Sequence, residues 1–265
     1  MISVSLKKTT WLWIGCCSLW LAGCTPRSVF RGTELPERDN IHLRYESEPL
    51  NDFLIYRGFV VRYDTLHRVP RYTVHRLSPA QLNDSLGYRA ERSDRFWADP
   101  RINAYSSGPK DYYRSGYDRG HHVPAGDFVY SQADQDDSFT YSNISPQNPK
   151  LNRYALASLE KTLRERVLSC QCEAYVVTGT LYETDTTTIG TGQVAVPTHL
   201  YKLAYFPKEQ KMFAFLFNNH YTWYNRNISL YQVSVNYVEA LAEKDFFDRL
   251  PDEMEEAMER KTPAL

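Results

Sequence analysis

The chain has 265 residues, of which 42% are hydrophobic and 24% are charged. This composition is typical of folded globular proteins and excludes a chain that is disordered throughout. The 31 basic and 32 acidic residues nearly cancel, which argues against a protein that binds polyanions through a broadly basic surface. Any site for a nucleic acid must therefore be local.

The N-terminal residues have the pattern of an export signal. Lys7 and Lys8 precede a short apolar run, 11–21, which is too short for a comfortable membrane span. The run ends in Leu-Ala-Gly-Cys at 21–24, an ending that resembles the lipobox of bacterial lipoproteins. It predicts a lipidated Cys24 and a protein anchored to a membrane of the bacterial cell envelope. An ordinary secretory signal with an incidental cysteine is the alternative.

These features predict four parts of the chain. Residues 1–23 are the signal peptide, and the polar, proline-containing segment 24–50 is the lipidated N-terminus and a tether. Residues 51–252 carry the apolar patterns of a folded domain, and 253–265 form an acidic C-terminal tail.

Within the domain, apolar and β-branched runs predict strands, and apolar spacings of three and four predict helices. In chain order, strands are predicted at 53–56, 59–63, 71–75, 174–178, 194–196, 199–206 and 212–217, and helices at 148–168, 234–242 and 252–260. Residues 85–117 are predicted to be irregular. Strands with interspersed helices but no regular βαβ alternation predict a single α+β domain with a mixed or antiparallel sheet.

Two cysteines remain beyond Cys24, namely Cys170 and Cys172. A bridge between them would close a very tight ring, and side chains two positions apart on a strand point to opposite faces. Two ligands are also too few for a metal site. We therefore expect at least one of them to be a buried thiol without chemistry.

The segment most informative about chemistry begins at Asp118 and continues through Arg119, Gly120, His121 and His122. Histidine is the side chain best placed to exchange a proton near neutral pH. A nearby arginine can bind phosphate oxygens in a bidentate manner. A surface turn with a structural Asp–Arg pair is the alternative, and this segment alone does not decide between the two.

The helix predicted after this segment carries Asn152, Glu160 and Arg164. At about 100° per residue, Asn152 and Glu160 differ by about 80°, and Arg164 lies about 40° further, so one stripe holds an amide, a carboxylate and a guanidinium. Taken singly, these residues are typical of a solvated helix face, with Glu160 and Arg164 as an ordinary i,i+4 ion pair.

Together, these segments resemble the DNA/RNA non-specific endonuclease family, which includes mitochondrial endonuclease G. The resemblance rests on DRGHHVPA at 118–125, NISPQ at 143–147, Asn152 and the Leu-Glu pair at 159–160, and it covers roughly 50–252. It implies a ββα-metal (His-Me finger) active site on an α+β fold. It also implies hydrolysis of phosphodiester bonds in DNA and RNA, leaving 5′-phosphate ends.

By position, the resemblance implies that His121 is the general base and that Asn152 holds a divalent metal, Mg²⁺ with Mn²⁺ as an alternative. Mg²⁺ keeps many of its waters and needs few protein ligands. Arg119 and Arg164 would neutralise the phosphate, and Glu160 would orient a water molecule of the metal. Three further matching positions would support the site or bind substrate: Asp118, Asn143 and Gln147.

The chain departs from the family's pattern in its helix, where Leu156 stands near the place of a usual tryptophan, so the packing there is in doubt. The family's upstream phosphate-binding arginine corresponds to either Arg92 or Arg95, and the sequence does not decide which. Neighbouring residues of a strand face opposite sides. Only one of His121 and His122 can therefore face the phosphate, and the resemblance selects His121.

Two other functions remain as alternatives. One is a catalytically weak lipoprotein that uses the same fold to bind nucleic acid or a protein partner. The other is a metal phosphoesterase that acts on small nucleotides. A homodimer is compatible with the sequence, which determines neither the oligomeric state nor the preference between DNA and RNA.

Overall fold

The computed structural model describes residues 41–83, 88–184 and 186–265. The predicted signal peptide and Cys24 lie outside these residues. Within the described ranges, no helix is both long enough and apolar enough to cross a bilayer.

Eleven strands lie in the described residues. They are β1 (Leu54–Ile55), β2 (Val60–Asp64), β3 (Val69–Leu77), β4 (Asp118–His121), β5 (Ile144–Gln147), β6 (Ala174–Leu181), β7 (Thr188–Ile189), β8 (Val194–Ala195), β9 (His199–Phe206), β10 (Lys211–Asn218) and β11 (Gln232–Val233). Seven form one antiparallel sheet in the order β1-β2-β3-β6-β9-β10-β11. The pairs β4–β5 and β7–β8 form two separate two-stranded sheets.

The α-helices are α1 (Pro79–Leu82), α2 (Pro109–Tyr112), α3 (Gln132–Ser138), α4 (Ala157–Cys170), α5 (Val235–Ala242) and α6 (Asp252–Glu259). A π-helix, Leu151–Leu156, leads directly into α4. Short 3₁₀ turns occupy Ile41–Leu43, Leu50–Asp52, Asn103–Tyr105, Ala125–Asp127, Tyr141–Asn143, Pro207–Glu209 and Ile228–Tyr231.

Helices cover both faces of the large sheet, because its strands are apolar on both sides. In β9, Leu203 and Tyr205 belong to a core shared with α5 and α6. The alternating neighbours Ala204 and Phe206 belong to a second core, against α4. The result is three layers with the sheet in the middle, which confirms the α+β prediction.

Most predicted elements are confirmed, with β9 matching its predicted bounds and α5 and α6 each within one or two residues. The described part of 85–117 holds the four-residue helix α2, one 3₁₀ turn and an isolated bridge at Trp97, and is otherwise irregular as predicted. The predicted helix over 148–168 is the π-helix followed by α4, which ends at Cys170.

The predicted tether boundary is wrong at its C-terminal end. Leu43 is buried in the core beneath α5 and α6, and Glu46 is 1% exposed. The Glu46 carboxylate accepts a hydrogen bond from the Phe247 amide and pairs with Lys244. Residues 41–50 therefore belong to the folded domain. Several contacts of this segment, such as that between Glu46 and Phe247, join residues about 200 positions apart, so the segment needs no periodicity of its own.

The C-terminal segment 253–265 packs on the domain instead of forming a free acidic tail. Met258 is buried in the core of α5 and the sheet, and Leu265 packs against the core on the α4 side. The acidic residues Glu255 and Glu259 are themselves buried.

The expectation for the two cysteines is also wrong, because Cys170 and Cys172 form a disulfide. They lie at a helix end and not on a strand. Gln171 has left-handed backbone angles (φ 47°, ψ 51°) and ends α4. This sharp turn brings the two side chains to the same side, with their Cα atoms 5.2 Å apart.

Candidate active site

A hairpin and a helix build the site. In the β4–β5 hairpin, Asp118 pairs with Gln147 and His121 with Ile144. The chain then turns into the π-helix, which returns Asn152 to within hydrogen-bonding distance of Asp118. Two strands and a helix thus present their side chains to one region, which is the ββα arrangement.

A cleft of about 520 Å³ lies over this unit. It is lined by Arg92, Asp94, Phe96, Pro109, Tyr112, Tyr113, Arg114, Tyr117, Asp118, Arg119 and Asn152. Arg92 is among the lining residues, whereas Arg95 is not. The structure thereby separates two arginines that the sequence left equivalent.

Arg119 and His121 lie on the same side of β4, because they are two positions apart. The Phe96 ring contacts both: the Arg119 guanidinium carbon lies 4.0 Å from its centroid, and the His121 ring lies 5.5 Å away. Phe139 packs against the same imidazole at 4.9 Å. His121 is not itself among the residues that line the cleft, but it packs against Phe96, which does line it, and Phe96 also contacts the exposed Arg119.

The His121 imidazole is a neutral base with an unused nitrogen. Its Nε2 atom is buried and has no hydrogen-bond partner among the described residues. Burial, aided by the positive charges of Arg92 and Arg119, lowers its pKa to about 3. The ring is therefore unprotonated at neutral pH, with a lone pair available to accept a proton.

His122 is a structural residue. It is fully buried, its Nδ1 donates to the Thr178 carbonyl at 3.2 Å, and its Nε2 accepts from the Ser145 hydroxyl at 2.9 Å. Both ring nitrogens are therefore occupied. Of the two neighbours, His121 is therefore the one with a buried ring nitrogen that has no partner among the described residues.

Gln147 and Gly120 fix the shape of the hairpin. The Gln147 side chain lies over Gly120, where an added Cβ atom would come within 2.0 Å of its Cδ. The Gln147 amide nitrogen lies 3.5 Å from the His121 carbonyl oxygen. Only glycine leaves room for this packing, which sets the backbone that carries His121.

Asn143 clamps the loop that follows His121. Its Nδ2 donates to the carbonyls of Val123 and Ser138, both at 2.9 Å. Its Oδ1 accepts from the Val123 amide at 3.0 Å. With this side chain fully buried and satisfied, Asn143 acts as a structural support and not as a ligand.

Asn152 is oriented by a carboxylate. Its Nδ2 donates to Asp118 Oδ2 at 2.9 Å, and the Asp118 carboxylate also accepts from Arg153 at 2.8 and 2.6 Å. A carboxylate accepts hydrogen bonds only, so the amide must present its nitrogen here. Its Oδ1 makes none of the hydrogen bonds found among the described residues. A neutral amide oxygen beside a carboxylate, in a polar cleft, fits a hard divalent cation.

The π-helix changes the angles around the helix that were predicted for Asn152, Glu160 and Arg164. Its turns contain more residues than α-helical turns, so an angle of about 100° per residue does not hold between Asn152 and α4. Asn152 lines the cleft, whereas Glu160 and Arg164 are absent from its lining. The three predicted residues thus do not form one continuous stripe.

Glu160 pairs with Lys202, a residue that the sequence analysis did not single out. Lys202 Nζ lies 3.4 Å from the Glu160 carboxylate and donates to the His122 carbonyl at 3.1 Å. Burial raises the pKa of Glu160, although Lys202 opposes the shift. The pair links α4, β9 and the backbone next to His121. The sequence feature that could have identified Lys202 is a lysine within the mostly apolar strand β9.

The structure corrects the prediction for Arg164. Its guanidinium donates to the buried Asp127 carboxylate at 2.7 Å, and the other oxygen of Asp127 lies 3.0 Å from His75 Nε2. Burial alone would raise the pKa of Asp127, but His75 and Arg164 hold it below its usual value. Arg164 is thus committed to an internal charge, because a buried carboxylate requires a partner.

Comparisons with known proteins agree with this geometry. The sequence model of the DNA/RNA non-specific endonuclease family matches residues 39–253. Nuclease C1 of Cunninghamella echinulata var. echinulata is 33% identical over 213 residues, covering 75% of this chain and 84% of that protein. Mitochondrial endonuclease G of Homo sapiens is 37% identical over 157 residues, 55% of this chain and 52% of the relative.

A solved structure of the EndoG/EndoGI complex, described as showing the mechanism of EndoG inhibition, contains a similar fold. The TM-score is 0.73 at 31% sequence identity, over 84% of this chain and 96% of that chain. Sequence, fold and site geometry agree that this chain belongs to the DNA/RNA non-specific endonuclease family, whose members are divalent-metal-dependent hydrolases of nucleic acids.

Proposed function

We propose that this protein cleaves phosphodiester bonds in both DNA and RNA, with His121 as general base and Asn152 as the metal ligand. The observation that carries the assignment is the buried Nε2 atom of His121, which has no partner among the described residues. His121 and Arg119 pack on the same Phe96 ring, and Asn152 of the π-helix lines the cleft together with Arg119. A site for binding alone would have no need of an unprotonated base there.

The phosphate is held by arginine side chains. Arg119 and Arg92 both line the cleft, and each lies over an aromatic ring, Phe96 and Phe139 respectively. Guanidinium groups match phosphate oxygens in a bidentate geometry. Because such contacts address the phosphate and not the base, they suit a substrate of any sequence.

His121 takes the proton of the attacking water through Nε2. Gly120, Gln147 and Asn143 hold the backbone on either side of it, so the imidazole is positioned before substrate arrives. Glu160 orients water near the metal, and Lys202 positions Glu160. Arg164 acts indirectly, through the packing of α4, instead of contacting the phosphate.

The cation is proposed to be Mg²⁺, with Mn²⁺ as an alternative. Asn152 Oδ1 would bind it directly and Asp118 would orient the amide. When bound, such a cation stabilises negative charge on the phosphate and on the leaving 3′ oxygen, so the products carry 5′-phosphates.

Digestion of supercoiled plasmid DNA and of a long RNA by the full-length protein tests the proposal. We expect cutting of both substrates in Mg²⁺, loss of cutting in EDTA, and a loss of at least about 10²-fold in His121→Ala. Exposed His220 provides the matched control, His220→Ala, which should cut normally. Full cutting by His121→Ala would refute the base, and turnover of a mononucleotide ester but not of duplex DNA would favour the small-nucleotide alternative.

We also propose that Cys24 carries lipid and anchors the enzyme to the bacterial cell envelope. The support is the basic start, the short apolar run and the Leu-Ala-Gly-Cys ending of the signal. Metabolic labelling with a radioactive fatty acid should mark the wild-type protein, and Cys24→Ala should lose both the label and sedimentation with membranes. An unlabelled wild-type protein would refute lipidation.

A further inference from the structure

A cluster of carboxylates lies away from the nuclease cleft, where α5 meets the C-terminal helix α6. Glu239 of α5, Asp245 of the following loop and Glu259 of α6 each offer an oxygen, and these atoms lie within 4.8 Å of one another. Glu255 lies four residues before Glu259, on the same side of α6. Like charges this close repel unless something positive lies among them.

Several side-chain oxygen atoms in and near this cluster accept no hydrogen bond from the described residues. Glu259 is 5% exposed and Glu255 is 9% exposed. The Oε1 atom of each is buried without a hydrogen-bond partner among the described residues. Asn236 lies one turn before Glu239 on α5, and its Oδ1 is likewise buried and unpartnered. Buried oxygen atoms without donors are costly unless a ligand satisfies them.

Positively charged side chains of the described residues do not neutralise these carboxylates. None of the ion pairs formed by the described residues includes Glu239, Asp245, Glu255 or Glu259. The nearby cation Lys244 is engaged by Glu46 at 3.2 Å and Glu48 at 3.1 Å. Among the described residues, the hydrogen bonds to the group are that from the Phe246 amide to Glu239 at 2.8 Å and one between the Glu239 and Glu259 side chains, which needs a shared proton that a cation could replace.

We propose that Glu239, Asp245 and Glu259 form a structural divalent-cation site, completed by Glu255, that joins α6 to α5. The donors are all oxygen, with several carboxylates and irregular spacing. Ca²⁺ binds six to eight oxygen ligands in flexible geometry, so these donors suit Ca²⁺. They suit metals that prefer nitrogen or sulfur ligands less well. Because Met258 of α6 belongs to the sheet core, a cation here would secure the C-terminal helix on the domain.

The test uses the full-length protein with CaCl₂ as the probe. The protein carries Asn152→Ala, which removes the proposed metal ligand of the nuclease cleft. Calorimetric titration should detect one equivalent of Ca²⁺. Relative to EDTA, Ca²⁺ at 100 times its Kd should raise Tm by roughly 5 °C or more. Adding Glu259→Gln should abolish both effects. Adding Glu253→Gln, which changes an exposed acid on the same helix, should preserve them.

Absence of Ca²⁺ binding in the Asn152→Ala protein, or an equal Tm rise after Glu259→Gln, would overturn the proposal. If Glu259→Gln fails to fold, Asp245→Asn provides the same comparison at an exposed position. These measurements read binding and stability without nuclease activity, so their outcome is separate from that of the proposed hydrolysis.

Discussion

At the scale of single residues, hydrogen bonding distinguishes the histidine proposed as the base from its neighbour. His121 and His122 are adjacent, and burial lowers the pKa of both to about 3. They differ in hydrogen bonding, because His122 uses both ring nitrogens in the core whereas His121 keeps Nε2 free. A lowered pKa keeps the His121 ring in its basic form throughout the neutral and mildly acidic range.

The lowered pKa of His121 predicts an unusual pH profile. An ordinary histidine base with pKa near 6.5 would be protonated as the pH falls from 7 to 5, and kcat/KM would fall more than tenfold. With the pKa at about 3 in the free enzyme, we expect less than a twofold change from this group over that range. Activity should be measured per folded molecule, with circular dichroism as the control. A tenfold fall per pH unit below 6.5 would contradict the burial of His121.

Gly120 provides a second test at this scale. Gly120→Ala would force the Gln147 side chain away, because the new Cβ would lie 2.0 Å from its Cδ. We expect a loss of about 1–3 kcal/mol in unfolding free energy, together with a clear drop in kcat. Urea denaturation and plasmid cutting measure the two effects. Gly108→Ala is the matched control, since its nearest neighbour would be 4.0 Å away; similar behaviour of the two variants would contradict this account.

At the scale of elements, buried ion pairs connect the helix to the sheet. Arg164 joins α4 to Asp127 in the loop after β4, and Glu160 joins α4 to Lys202 on β9. Arg164, which the sequence analysis assigned to the phosphate, thus forms an internal ion pair, and Glu160 has an internal partner as well. Breaking one partner of such a pair leaves a buried charge uncompensated.

Lys202 tests this arrangement. Lys202→Met should lower the unfolding free energy by about 3 kcal/mol, because Glu160 keeps a buried carboxylate without its cation. Adding Glu160→Gln should restore most of that stability while leaving plasmid cutting impaired, since Glu160 is proposed to orient water. Urea denaturation measures the first effect, and exposed Lys161→Met is the control. If the double variant is as unstable as Lys202→Met alone, the loss of unfolding free energy does not come from leaving Glu160 without its partner.

At the scale of the whole molecule, the charge balance shapes how substrate is bound. Without the predicted signal and the residues after 250, the span 24–250 has 27 basic and 27 acidic residues and a net charge of zero. Affinity for nucleic acid must then come from arginines concentrated in one cleft, chiefly Arg92 and Arg119.

Neutrality predicts a weak dependence of binding on salt. Each neutralised phosphate makes the slope of log K against log salt more negative by about 0.9 for duplex DNA. The three arginines that line the cleft, Arg92, Arg114 and Arg119, should therefore give a slope of about −3. Fluorescence anisotropy with His121→Ala protein in EDTA avoids cleavage during the titration. Arg119→Ala should reduce the slope by about one. A slope steeper than about −4 would indicate a broad basic contact surface and contradict the local-cleft account.

The sequence alone determined the features that depend on neighbouring residues. Apolar and β-branched runs predicted the sheet strands, and apolar residues at helical spacing predicted most of α4. The segment from Asp118 to Ala125, with Asn152, identified the family through a resemblance in motif and spacing, and it predicted His121 as the base. The nuclease function was therefore evident before any fold was known.

Only the tertiary structure decided which partners the charged side chains around the site have. Arg164 and Asp127 are 37 residues apart, and Lys202 lies 80 residues from the His122 carbonyl to which it donates. Contacts over such separations leave no local periodicity, so a buried pair and a phosphate-binding arginine look alike in sequence. The energetic cost of burying an unpaired charge selects the partners, and those partners become known only when the chain has folded.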